Sequence, residues 1–84
     1  MKRYFFDLRD GGAFAVDHEG CEFASLAAAQ EEAVGALAEM AKRAVPAVLK
    51  NGGHRMAIEV RDESGPILKV LITFEADRKG TSCA

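Results

Sequence analysis

Two cysteines in 84 residues are too few for a disulfide framework. Cys21 and Cys83 are therefore read as reduced thiols of a cytoplasmic protein. A basic excess is also missing. Eleven Lys and Arg stand against 13 Asp and Glu, for a net charge of −2 and a pI near 5.6. Generic phosphate binding usually starts from the opposite balance, so only a local basic patch could serve nucleic acid. No segment approaches the ~20 consecutive apolar residues of a membrane span. A secretory leader is not expected either, since only Tyr4-Phe5-Phe6 follows Met1-Lys2-Arg3 before Asp7 interrupts. The paired glycines Gly11-Gly12 and Gly52-Gly53 lack the longer spacing and the Lys-Ser/Thr step of a phosphate loop, and read as turns.

What is present is an ordinary globular mixture, 49% apolar and 29% charged. It suits one domain over residues 1–77, with 78–84 as a flexible polar tail. Tyr4, Phe6 and Leu8 alternate with Phe5 and Asp7, which predicts a first strand. Phe14 and Val16 predict a second. If they share a face with Leu8 and Phe6, the turn between must be the three-residue Asp10-Gly11-Gly12, with Gly12 left-handed. After the turn Asp17-His18-Glu19-Gly20, Cys21-Glu22-Phe23 reads as an extended link.

Ser25 stands at a helix N-cap, and Leu26 to Val45 is alanine-rich with apolar residues at helical spacing. Pro46 predicts that this helix kinks or breaks, and Asn51-Gly52-Gly53 ends it. Met56, Ile58 and Val60 predict a third strand, and Leu68, Val70, Ile72 and Phe74 a fourth. Their register should pair Val60 with Leu68 and Ile58 with Val70 across Glu63-Ser64-Gly65. The expected fold class is α+β. It is a ββαββ chain forming a four-stranded antiparallel sheet, with one long helix packed on one face. The expected core comprises Tyr4, Phe6, Leu8, Phe14, Val16, Leu26, Ala33, Leu37, Met40, Val45, Ile58, Val60, Leu68, Val70, Ile72 and Phe74.

Candidates for chemistry are sparse. His18 and Cys21 have the spacing of half a metal site, which His54 and Cys83 could complete, but structural sites are built from two tight pairs. Asp17-His18-Glu19 offers acid and base groups with no nucleophile nearby, and Ser25 is better explained as a cap. No catalytic, cofactor or metal residue is expected, and the chain is not read as an enzyme. The informative feature is the sheet face turned away from the helix. By parity it carries Arg3, Phe5, Asp7, Ala13, Ala15, Ala57, Glu59, Arg61, Ile67, Lys69, Leu71, Thr73 and Glu75. A wholly solvated face would be more polar. Arg3, Phe5, Glu59, Arg61, Ile67, Lys69 and Leu71 are therefore the expected interaction surface, with Phe5, Ile67 and Leu71 as an apolar patch inside a charged rim.

The opening Arg3-Tyr4-Phe5-Phe6-Asp7-Leu8-Arg9-Asp10-Gly11, the segment Asp17 to Glu22, and Ile58 to Gly65 resemble a family of short soil-bacterial proteins known only as a domain of unknown function. These motifs are turns and core positions, so the resemblance implies a fold rather than an activity. Pro46 and Gly52-Gly53 depart from the family pattern at the helix end. The run from Gly20-Cys21-Glu22 to Glu31-Glu32-Ala33 is more loosely similar to HicB-type antitoxins. That likeness implies a degenerate RNA-binding fold that sequesters a toxin. The expected function is accordingly a small non-catalytic interaction module, a homodimer or a binder of a protein partner through the outer face. The alternative is a nucleic-acid-linked role using Arg3, Phe5, Arg61 and Lys69.

Overall fold

The computed structural model describes residues 1–77; the tail expected over 78–84 lies outside them. The fold is α+β, with an antiparallel sheet and helices on one face. In chain order the elements are β1 (Lys2–Asp10), β2 (Ala13–Ala15), β3 (Cys21–Phe23), α1 (Leu26–Arg43), α2 (Val45–Asn51), β4 (Gly53–Asp62) and β5 (Gly65–Glu75). The order across the sheet is β2-β1-β4-β5, and β3 also pairs with β1. The sheet thus has five strands where four were expected, and two helices replace one. The extra strand is the presumed link: Lys2, Arg3 and Tyr4 pair with Phe23, Glu22 and Cys21.

The helix breaks where Pro46 dictates. A proline has no N–H to give and is tolerated in a first turn. Ala44 accordingly closes α1, donating to the Met40 and Ala41 carbonyls, and serves as the N-cap of α2 with Pro46 in its first turn. Ser25 caps α1 as expected, its hydroxyl accepting the Ala28 N–H at 3.1 Å. The Gly52 N–H donates to Val48 and ends α2.

The register of the first hairpin differs from expectation. Leu8 pairs with Ala15, Arg9 with Phe14 and Asp10 with Ala13, across a two-residue Gly11-Gly12 turn. Gly11, not Gly12, takes the left-handed backbone, at φ +63°. Asp10 is kept in the strand because it also pairs with Met56 of β4 and its carboxylate meets His54. The Gly11 N–H then reaches the Arg55 carbonyl at 2.9 Å. A positive φ at the first of two central residues suits the twist of a tight hairpin. The consequence follows from the two-residue period of a strand. Phe14 shares the outer face with Arg9, while Ala13 and Ala15 move to the inner one. Phe14 and Val16 are exposed, at 48% and 43%, rather than in the core. Leu26 and Val45, also expected inside, are exposed at the ends of α1 and the start of α2.

The core itself is Tyr4, Ala29, Ala33, Leu37, Ala44, Met56, Ile58 and Val60. Phe6, Leu8, Phe23, Met40, Leu68, Val70, Ile72 and Phe74 pack around it. Alanines at one-turn spacing let α1 settle closely on β4 and β5, and Leu37 is the large side chain at the contact. In the second hairpin Val60 pairs with Leu68 and Ile58 with Val70, as expected. Asp62 pairs with Gly65, however, so the connection is the two residues Glu63-Ser64. A bulge between Arg61–Pro66 and Val60–Leu68 absorbs Ile67 and restores the register.

Candidate interaction surface

Three rows of side chains cross the outer face, each set by strand register. The first runs Phe14, Arg9, Ala57, Leu71 across β2, β1, β4 and β5. The second is Asp7, Glu59, Lys69, and the third is Phe5, Arg61, Pro66. The middle row is charged, so it separates Phe5 from Leu71. The two were expected to form one patch; the structure places them in different rows on non-adjacent strands. Phe5 is half-buried beneath the Arg61 guanidinium, which stands 4.6 Å from its ring centroid. Leu71 is 52% exposed. Ile67 lines a shallow depression beside the bulge with Glu59, Pro66, Leu68 and Lys69. Arg3 lies opposite Glu22 at 4.0 Å and donates to the Glu19 carbonyl at 2.7 Å.

Two arginine–aromatic stacks organise this face. Arg9 lies 4.3 Å over the Phe14 ring and pairs with Glu59 at 3.3 Å. Arg61 covers Phe5 and donates through Nε to Asp7 at 2.8 Å, and through Nη2 to the Asp17 carbonyl at 2.8 Å. The register puts the carboxylates of Asp7 and Glu59 side by side on adjacent strands. Each is neutralised by the arginine diagonal to it, which removes a like-charge conflict.

Asp7 is only 7% exposed, and its second oxygen accepts the Asp17 N–H at 2.9 Å. Asp17 in turn repairs a gap in the sheet. β2 pairs with β1 at residues 8–10 and β3 at residues 2–4, leaving Phe6 between them. The Asp17 carboxylate accepts the Phe6 N–H at 3.1 Å in place of a strand carbonyl, and also the N–H groups of Glu19 and Gly20. Those donors, Gly20 foremost, hold the Asp17 carboxyl below the usual carboxylate range, with the Arg61 charge adding and partial burial opposing. At the far end of β1, Lys2 pairs with Asp62 at 3.0 Å. That contact lowers the Asp62 carboxyl, helped by the Ser64 N–H, and raises the Lys2 ammonium.

Phe14, Arg9 and Asp17 were not expected on this face, and Asp7 was expected on it but not among its contact residues. Only Asp17 carried a local signal, an Asp three residues before a Gly, which is the spacing of a side-chain-closed turn. His18 is exposed, Cys21 is exposed at the start of β3, and the His54 ring bonds Asp10, so these three are not assembled. Cys83 lies outside the described residues. Among the described residues no group of three or more His, Cys, Asp or Glu side chains could hold a metal. None of their helices is long and apolar enough to cross a membrane.

Residues 3–73 match the family model described as Domain of unknown function (DUF6894). The chain belongs to this family. No curated protein and no solved structure matches it. The DUF6894 match runs from the start of β1 well into β5, so it takes in both arginine–aromatic stacks. It supports the first of the two resemblances; the likeness to HicB-type antitoxins is not shown by it.

Proposed function

We propose that this DUF6894 domain is a non-catalytic cytoplasmic interaction module that receives a protein partner, another copy of itself included, on the outer sheet face. The observation that carries the reading is the row Phe14, Arg9, Ala57, Leu71. Two half-exposed apolar side chains end the row, with Arg9 and a small buried alanine between them, and Arg9 and Arg61 are already held by Glu59 and Asp7. A partner that covers this row buries apolar area and does not have to order Arg9 and Arg61 from scratch. An apolar centre within a polar rim is also the ordinary anatomy of a protein interface.

A nucleic-acid ligand asks more of the same residues. Of the set Arg3, Phe5, Arg61 and Lys69, Arg61 is engaged by Asp7 and Asp17 and its guanidinium occupies the Phe5 face that a base would need. Comparing the parent with the Phe14→Asp/Leu71→Asp variant as immobilised baits tests the proposal. The expected result is a protein partner held by the parent, weakened at least tenfold in the variant, and nearly insensitive to salt between 50 and 200 mM. Binding of single-stranded RNA that falls steeply over the same salt range would instead select the nucleic-acid role.

A further inference from the structure

Strand β5 forms one border of the outer face, and its far edge has no strand beside it among the described residues. Long edges are usually blunted by proline, inward charges or extra lysines. β5 has eleven residues, a proline only at its second position, no charged side chain on the helix-covered face, and a single lysine. The direction of its backbone groups follows from the ladder. The Ala76 N–H reaches the Gly52 carbonyl at 2.7 Å, which makes the even-numbered residues of β5 the ones bonded to β4. The N–H and C=O groups of Lys69, Leu71, Thr73 and Glu75 therefore face the open edge.

We propose that this edge pairs with the β5 edge of a second copy, in antiparallel register about a two-fold axis at Ile72. The inference rests on the outer-face reading and names the partner at its β5 border. Two constraints select the register. The helix-covered face must stay continuous, which requires the numbers of opposed residues to sum to an even value. Charge then decides among the even registers. Centring on Val70 sets Lys69 against Leu71, and centring on Leu71 sets it against Thr73. Centring on Ile72 sets Lys69 against Glu75 of the second copy, twice by symmetry. Both groups are exposed, and neither has an ion-pair partner among the described residues. Glu59, which lies beside Lys69, pairs with Arg9 instead. The same register sets Leu71 against Thr73 on the outer face. On the inner face it joins Ile72 to Ile72 and Val70 to Phe74, side chains that are only partly covered in one copy. The opposed odd-numbered pairs exchange two backbone hydrogen bonds each.

The test is sedimentation of the parent, Lys69→Glu, Glu75→Lys and the double exchange Lys69→Glu/Glu75→Lys, with circular dichroism to confirm that each is folded. Amide exchange is read at Leu71 and Thr73. The parent is expected to be dimeric with both amides protected. Each single reversal should weaken the dimer by about tenfold or more, because two attractions become repulsions, and the double exchange should restore it. A folded parent that stays monomeric at high micromolar concentration, with both amides exchanging freely, overturns the edge pairing while leaving the outer-face reading to its own test. A dimer indifferent to both reversals overturns the register. A dimer lost in the Phe14→Asp/Leu71→Asp variant but unchanged in Lys69→Glu places the second copy on the face instead of the edge, and overturns the inference.

Discussion

Arg61→Ala is the perturbation that probes the organisation of the outer face most directly. In the native domain the guanidinium gives Nε to Asp7 at 2.8 Å and Nη2 to the Asp17 carbonyl at 2.8 Å, and it shields one face of Phe5. The two side chains of the pair are 31% and 10% exposed, so the arginine is partly screened and the carboxylate is not. Truncation leaves Asp7 with the Asp17 N–H as its remaining bonded donor. A fully buried pair would cost about 3–5 kcal/mol to break and a surface pair under about 1. The exposure of Arg61 places this one between, at about 2 kcal/mol. For a domain of this size that is a fall of roughly 10 °C in Tm. Urea titration of the parent, Arg61→Ala, Asp7→Ala and the double variant closes a cycle whose expected coupling is about 1–2 kcal/mol. Arg61→Lys should recover little, since a lysine cannot serve the carboxylate and the Asp17 carbonyl in the same fork. A single-variant loss below about 0.5 kcal/mol, or a coupling near zero, would refute the view that this pair holds the face together.

The two glycines of the first turn should separate. Gly11→Ala is expected to cost about 1–2 kcal/mol because of its positive φ and the His54 ring 3.2 Å from the new Cβ, whereas Gly12→Ala, with open space, should be near neutral in thermal melts. Gly20→Ala is the harsher change, at about 2–4 kcal/mol by urea titration. Its φ is +71°, and a Cβ would meet the Tyr4 carbonyl oxygen at 2.9 Å, backbone that cannot step aside. Acid should loosen the Asp17 turn. The Asp17 carboxyl is lowered in the folded state, so its contribution is complete above the ordinary aspartate range and is lost as pH falls through the lower folded value. Amide exchange at Phe6 and Gly20, corrected for intrinsic rates, should rise through that window, and an Asp17→Asn variant should abolish the pH step. At the other extreme, the Lys2–Asp62 contact is complete below the ordinary lysine range and is lost as pH rises through the raised Lys2 value.

The three long strands were legible because their alternation is carried by large side chains on one parity: Tyr4, Phe6 and Leu8; Met56, Ile58 and Val60; Leu68 to Phe74. The helix break was legible at Pro46. The first hairpin misled because Phe14 and Val16 were assumed to need the core. Phe14 instead gains cover from Arg9 on the opposite face, and nothing local distinguishes a phenylalanine bound for a core from one bound for a guanidinium. β3 was hidden for a different reason, since three residues ending in a single aromatic cannot display a period. The Asp7–Arg61–Asp17 cluster joins residues 54 and 44 positions apart, and such a closure leaves no trace in either neighbourhood. On the outer face, parity identified Arg3, Phe5, Glu59, Arg61, Lys69 and Leu71. It did not show that a charged row divides their apolar members.

The central place of β1 has a consequence for how the chain acquires its fold. β1 precedes the other strands of this domain, yet one of its edges is completed by β4, whose residues follow only after both helices. Segment by segment, the growing chain can pair β1 with the short strands β2 and β3 on one edge and extend α1, but the other edge of β1 has no neighbouring strand until residue 53 onward is available. The loop to be closed is long, and its entropic cost precedes the reward of the β1–β4 ladder. Assembly of the full sheet therefore waits until β4 has been made. A fragment ending at α2 would leave β1 with one long edge open beside Tyr4, Phe6 and Leu8, a condition open to aggregation.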